Sequence, residues 1–166
     1  MIARPRDRDL DAPELEDLVT RLAGRPDLWA HLVRHDPGER VYEEVLRDNH
    51  VAVWLICWME DHDTGFHDHD LSSGAVAVLA GGVREERLVL AGPPAGRSFG
   101  PGGSFTFGPA DIHRVLHEGD QPAVTIHAYS PPLRGMGVYQ VDEQGTLQRR
   151  PTPSSEELRA GAAATA

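Results

Sequence analysis

Two histidines one residue apart, His67 and His69 in "TGFHDHD", have the spacing of a chelating pair. In a β-strand, residues i and i+2 project from the same face, so both imidazoles can offer a nitrogen to one ion. Taken alone, an HxH pair reads as well as two polar residues at the mouth of a strand. A third candidate ligand, His113, stands 44 residues after His69 in "GPADIHRVLH". Downstream, Thr125, His127 and Tyr129 in "VTIHAYS" alternate and share one face of a predicted strand. Of the nine histidines, His31, His35 and His50 fall in or near a helical segment or a turn and read as surface residues, while His62 sits in the acidic loop "MEDHDTG". The sole cysteine, Cys57, excludes an internal disulfide and a Cys-rich zinc site, and its apolar strand makes it a buried core thiol.

The elements that must hold these residues are of two kinds. Asp11 can cap a helix with Pro13 in its first turn, on which Leu15, Leu18, Val19 and Leu22 form one apolar face. Gly24-Arg25-Pro26 ends it, and Asp27 is positioned to cap a second helix carrying Leu28, Leu32 and Val33, closed by the turn Asp36-Pro37-Gly38. From about residue 40 the texture becomes that of strands. "VAVWLICW" (51–58) is apolar on both faces, as a buried strand should be. "GAVAVLA" (74–80) and "VREERLVLA" (83–91) flank Gly81-Gly82, which predicts a hairpin. Residues 91–104 are rich enough in Gly and Pro to predict a loop, and further strands are predicted at 104–107, 113–116, 123–129, 137–141 and 146–150, with a turn at 142–145.

These short strands joined by Gly/Pro turns predict an all-β sandwich or small barrel behind an N-terminal helical segment. A length of 166 residues fits one domain, expected over 1–150, with helices in 1–39, a β-barrel over 40–150 and a frayed tail at 151–166. A net charge of −10 argues against nucleic acid or an anionic membrane as a partner. Residues 1–12 lack the apolar core of a signal peptide and no 18-residue apolar span occurs, so a cytoplasmic protein is expected, a monomer or small homo-oligomer.

The histidine frame resembles that of cupins, small jelly-roll-like β-barrels whose first motif is HxH, four residues, Glu, six residues, Gly. Here four residues follow His69, then Gly74, six residues and Gly81, so the frame is kept and the glutamate is lost. That loss resembles one cupin branch, the thiol dioxygenases of the cysteine dioxygenase family. "LICWMEDHDTGFHDHDLSSGAVAVLAGGVREERL" resembles the family's first block, and "DIHRVLHEGDQPAVTIHAYSPP" its second. The resemblance implies Fe(II) bound by His67, His69 and His113, and a hydroxyl–His–Tyr relay at Thr125, His127 and Tyr129. It implies a small thiol and O2 as substrates, with a sulfinate as product. It also implies a cis peptide at Ser130-Pro131 and, because Gly74 stands where some members have a cysteine, no Cys–Tyr crosslink. The chemistry suits the donor set: three neutral imidazoles leave a 2+ charge uncompensated, which favours an incoming thiolate.

The substrate clamp departs from the family pattern. Cysteine-specific members carry Tyr-x-Arg in the strand before the first motif, and the register adopted here gives Tyr42-Glu43-Glu44. Glu44 in the Arg slot would repel a carboxylate. Arg40, on the same strand face, or Arg134, after the Ser-Pro-Pro turn, could supply the guanidinium instead; alternatively Glu44 faces the amine of an aminothiol. His117 stands where the family has Asn. Two other readings use the same residues: a cupin iron enzyme with a different small substrate, and a non-catalytic binding cupin.

Overall fold

A computed structural model describes residues 7–89, 92–144 and 146–153. Helix α1 (Ala12–Ala23) begins where the sequence places it: Asp11 accepts from the Glu14 amide while the Glu14 carboxylate accepts from the Asp11 amide, a reciprocal cap. Its face of Leu15, Leu18, Val19 and Leu22 is buried. The second helix is shorter than predicted. Helix α2 spans only Pro26–Trp29, followed by a 3₁₀ turn at Ala30–Leu32, and Arg25 rather than Asp27 is its N-cap. The Asp27 carboxylate instead accepts from the Arg25 guanidinium at 2.7 and 2.9 Å. None of the residues in these two turns is fully buried; Trp29 and Leu32 pack against the core only in part, too little apolar contact to extend the helix.

Eleven strands follow among the described residues: β1 (Val41–Arg47), β2 (Ala52–Trp58), β3 (His67–Asp68), β4 (Ser73–Ala80), β5 (Gly82–Arg87), β6 (Ala95–Phe99), β7 (Ser104–Phe107), β8 (His113–Glu118), β9 (Ala123–Ser130), β10 (Gly135–Val141) and β11 (Leu147–Pro153). They form two antiparallel sheets, in the orders β1-β2-β9-β4-β7 and β11-β10-β3-β8-β5-β6. The inner strands of the first sheet, β2, β9 and β4, are buried on both faces. Val53, Leu55, Cys57, Ala75, Ala77, Val124, Ile126 and Ala128 form a cluster with the apolar face of α1. Ile56, Trp58, Val76, Val78 and Tyr129 join Val83, Phe105, Phe107 and Val115 in a second cluster between the sheets. That double burial is why "VAVWLICW" is apolar throughout.

Two predicted connections come out differently. Gly81 is not a hairpin tip: β4 pairs with β7 and β9, whereas β5 pairs with β6 and β8. The chain switches sheets there, at a φ of +64°, and a Cβ on Gly81 would lie 2.5 Å from the Pro122 carbonyl oxygen. The Gly/Pro-rich stretch 91–104 is not all loop, because Ala95–Phe99 pairs with β5 as an edge strand. Main-chain pairing suffices to form it, and its largely exposed side chains need no apolar pattern. The strand foreseen to run to residue 91 ends at Arg87, and the last strand runs past 150 to Pro153; residues 90, 91, 145 and the tail beyond 153 lie outside the described set. Among the described residues, no helix is long and apolar enough to cross a membrane.

Candidate metal centre

Strand β3 is two residues long, yet it carries the chelating pair, with His67 on the strand and His69 just beyond it. It lies between β10 and β8, and His67 is directly opposite His113, the first residue of β8. The three rings converge with centroids 4.7, 4.9 and 5.0 Å apart. One ligand nitrogen from each lies within 4.8 Å of the others. His67, His69 and His113 are 4, 1 and 1% exposed.

The donor set fits a metal ion. His69 Nδ1 and His113 Nε2 are buried without a hydrogen-bond partner, an arrangement that costs free energy unless another group completes it. His67 Nδ1 lies 2.9 Å from the Gly65 carbonyl and His113 Nδ1 lies 3.0 Å from Glu85 Oε1, each fixing one side of its ring. Burial, then the nearness of the other imidazoles, pushes the pKa of His67 and His69 well below the ordinary histidine value, so both are neutral at pH 7, the form able to ligate a metal.

The residue between the two histidines faces the other way. Asp68 Oδ1 accepts from the amides of Asp70 and Gly137 at 3.0 Å each and from Arg149 Nη2 at 2.9 Å. Its Oδ2 accepts from Tyr139 Oη and Arg149 Nε at 2.7 Å each. Gly137 and Tyr139 on β10 and Arg149 on β11 thereby lock the short strand β3 in place. Gly137 is required for this approach, since a Cβ there would stand 2.7 Å from Asp68 Oδ2.

Gly74 gains a physical meaning. It pairs directly with Phe107 across β4 and β7, and any Cβ at Gly74 would overlap the Phe107 ring. That ring stacks on His69 with centroids 4.2 Å apart and lies 4.5 Å from His113. An aromatic wall thus fills the space where a carboxylate ligand would enter.

The rest of the cavity is lined by Arg40, Tyr42, Ile56, Thr64, Val115 and Met136, together with His127 and Tyr129. Thr125 lies behind this wall, fully buried. Its Oγ1 is 2.9 Å from His127 Nε2, and His127 Nδ1 is 3.3 Å from Tyr129 Oη. The tyrosine ring in turn packs against His69, with centroids 5.5 Å apart. Burial first, then the nearness of His113 and of Arg40, lowers the His127 pKa to about 3, so this imidazole is neutral and orients its neighbours rather than storing a proton.

The four expected substrate contacts separate. Arg40 and Tyr42 line the cavity. Glu44, at the middle of β1, is exposed, and its carboxylate accepts from Arg47 Nε at 2.7 Å. Arg134 is exposed and does not line the cavity. The β1 bulge lies beyond Arg40, Tyr42 and Glu44, between Glu44 and Leu46, so Tyr42 and Glu44 keep one register against β2. His117 is likewise outside the cavity, with Nε2 at 2.8 Å from the Gln121 carbonyl.

Three residues at the centre carry no motif signal. Trp58 Nε1 donates to Thr125 Oγ1 at 2.8 Å, and the Arg40 guanidinium lies 5.4 Å from the Trp58 ring centroid. Alternation along β2 with the lining residue Ile56 is the signal that could have found it. Glu85 and Asp68 are buried carboxylates whose partners come from distant strands. Burial raises the Glu85 pKa, but hydrogen bonds from His113 and Arg97 outweigh it and leave it lowered.

Residues 5–142 match the family model described as cysteine dioxygenase type I. The chain belongs to that family. It is also 25% identical over 136 residues to cysteine dioxygenase type 1 of Danio rerio, covering 75% of this chain and 68% of the fish protein. Solved structures agree on the fold. A Klebsiella pneumoniae protein with a double-stranded β-helix domain superposes with a TM-score of 0.58 at 18% identity, covering 66% of this chain and 86% of that one. A cupin superfamily protein from Desulfitobacterium hafniense gives a TM-score of 0.54 at 11% identity, covering 77% and 98%. For this member of the cysteine dioxygenase family the cupin fold, the Ser130-Pro131 cis peptide and the three-histidine cluster all stand as the sequence implied.

Proposed function

We propose that this chain is an Fe(II)-dependent dioxygenase that converts a small carboxylate-bearing thiol, cysteine first among them, to its sulfinate: RSH + O2 → RSO2H. The observation that carries the reading is the presence of Arg40 in the same buried cavity as the three histidines. None of the residues lining that cavity is an Asp or Glu, so its fixed charge favours an anionic ligand. With Glu44 exposed and bonded to Arg47, the amine-binding role foreseen for it is withdrawn, and Arg40 takes the carboxylate. The aminothiol alternative loses its support with it. Arg134 has no part in this account.

Iron held by His67, His69 and His113 would supply open positions for the thiolate and dioxygen and lower the thiol's pKa. The chain's own residues do the rest. Arg40, packed over Trp58, receives the substrate carboxylate and fixes the direction of the molecule. Trp58 can only donate, so its bond occupies one Thr125 lone pair. The Thr125 hydroxyl proton then goes to His127 Nε2 at 2.9 Å in preference to the Ile56 carbonyl at 3.5 Å. His127 therefore carries its proton on Nδ1 and donates to Tyr129 Oη, and the phenol O–H serves as donor toward the bound ligands. Phe107, Val115, Ile56 and Met136 keep bulk water from the reacting sulfur.

The test is oxygen uptake by the iron-loaded protein against a panel of cysteine, 3-carbon thiol acids, aminothiols and non-thiol amino acids. Uptake with carboxylate-bearing thiols and a sulfinate product is expected. Uptake with none of the thiols overturns the reading and leaves a metal-binding cupin of another activity or of none.

A further inference from the structure

We propose that Glu85 is a positioning residue for the metal centre: its buried carboxylate accepts a hydrogen bond from His113 Nδ1–H and sets that imidazole's donor strength, and Arg97 governs how much charge the carboxylate lends. The inference rests on the reading of His67, His69 and His113 as metal ligands.

The geometry is specific. Glu85 Oε1 is 3.0 Å from His113 Nδ1, and the Glu85 side chain is wholly buried. A carboxylate in this place accepts only, so the ring proton sits on Nδ1. The remaining nitrogen, His113 Nε2, is the buried atom without a hydrogen-bond partner, and its lone pair is thereby left for an ion. Glu85 is held in turn by two cations: Arg87 Nε donates to Oε1 at 3.1 Å and Arg97 Nη2 to Oε2 at 2.7 Å. Arg87 is braced separately, donating to Asp111 Oδ2 at 3.1 Å and to the Thr106 carbonyl at 2.6 Å. Arg97 extends from the edge strand β6, and its side chain is 56% exposed.

The consequence concerns charge. Gly74 removes the carboxylate from the set of ligands, and the structure returns one behind His113 instead. A negative charge hydrogen-bonded to a ligating imidazole makes that ring a stronger donor and stabilises the more highly charged metal. Arg97 withdraws part of that charge, so the two residues must act in opposite directions. A purely structural salt bridge would not produce that opposition.

The experiment compares iron-loaded wild type with Glu85→Gln and Arg97→Gln. Metal affinity is read by chelator competition with Co(II) and Fe(II), and the Fe(III)/Fe(II) midpoint potential by spectroelectrochemical titration. Glu85→Gln keeps an acceptor but not the charge, and is expected to weaken metal binding about tenfold and to raise the potential. Arg97→Gln is expected to lower the potential. Potentials unchanged in both variants, or shifted in the same direction, overturn the proposal. Should Glu85→Gln fail to fold, Arg97→Gln decides alone, because a raised or unmoved potential contradicts the assignment. A wild type that binds neither metal refutes instead the three-histidine reading on which it rests, so the two failures are distinct.

Discussion

Replacing Arg40 by Gln should separate substrates by whether they carry a carboxylate. Arg40 is 7% exposed, lines the cavity that holds the three histidines, and is stacked over Trp58. A hydrogen bond to a charged group in such surroundings is worth about 1.5–3 kcal/mol. At about 1.4 kcal/mol per decade, kcat/KM for cysteine should fall roughly tenfold to a hundredfold, most of it in KM. Cysteamine has the same thiol and amine without the carboxylate, so its kcat/KM should change less than about threefold, well inside the 1.4 kcal/mol that a tenfold change represents. The variant is made in the iron-loaded protein and assayed by initial oxygen uptake over a range of each thiol. Iron content, measured in parallel, should match wild type, since Arg40 is not a ligand. Equal loss with cysteine and cysteamine at unchanged iron content would falsify the carboxylate role of Arg40, because the guanidinium would then be supporting the cavity wall rather than recognising the substrate.

Three further outcomes follow from the same structure. His127 is buried neutral with its pKa lowered to about 3, so below the unfolded value near 6.5 the unfolded chain binds the extra proton and stability falls with pH; His127→Gln should make the loss between pH 6.5 and 4 shallower by up to about 1.4 kcal/mol per pH unit, read from urea melts of the metal-free protein. Trp58→Phe keeps an aromatic ring but removes the donor to Thr125 and leaves a smaller side chain, which should lower stability by at least about 1–2 kcal/mol and reduce kcat more than it changes iron content, measured by denaturant melts and turnover at saturating thiol. Gly74→Ala should destabilise the fold by about 1–3 kcal/mol, because Phe107 is wedged against His69 and His113 and cannot retreat; an unchanged melt would show that the aromatic wall is loose.

What could be read from the sequence is what local pattern determines. The cap at Asp11, the α1 face, the two-sided burial of β2 and the alternation of Thr125, His127 and Tyr129 each depend on spacing within one element. The three clustered histidines were legible too, because the HxH pair and His113 sit in motifs of fixed length, and their convergence follows from His67 pairing with His113. The substrate side was not legible to the same degree. Tyr42 and Glu44 pair with Ile56 and Trp54 in one unbroken register, yet Arg40 and Tyr42 line the cavity and Glu44 does not, a difference that alternation along β1 cannot show. Arg40 could therefore be named as a candidate but not preferred over Arg134. Glu85 and Asp68 look like ordinary surface charges in "VREER" and "HDHD"; their burial depends on Arg97, Arg87 and Arg149 arriving from other strands. Edge strand β6 was missed for the converse reason, since its exposed side chains leave no apolar period to detect.

The central claim, that the three histidines and Arg40 together make a thiol dioxygenase, is tested most directly by isotope labelling. Iron-loaded protein is given cysteine under 18O2 in unlabelled water, and the product is weighed by mass spectrometry. The account predicts a sulfinate carrying two 18O atoms, formed one for each O2 consumed. A product with one or no labelled oxygen, or no product with cysteine or any other small thiol, would contradict it.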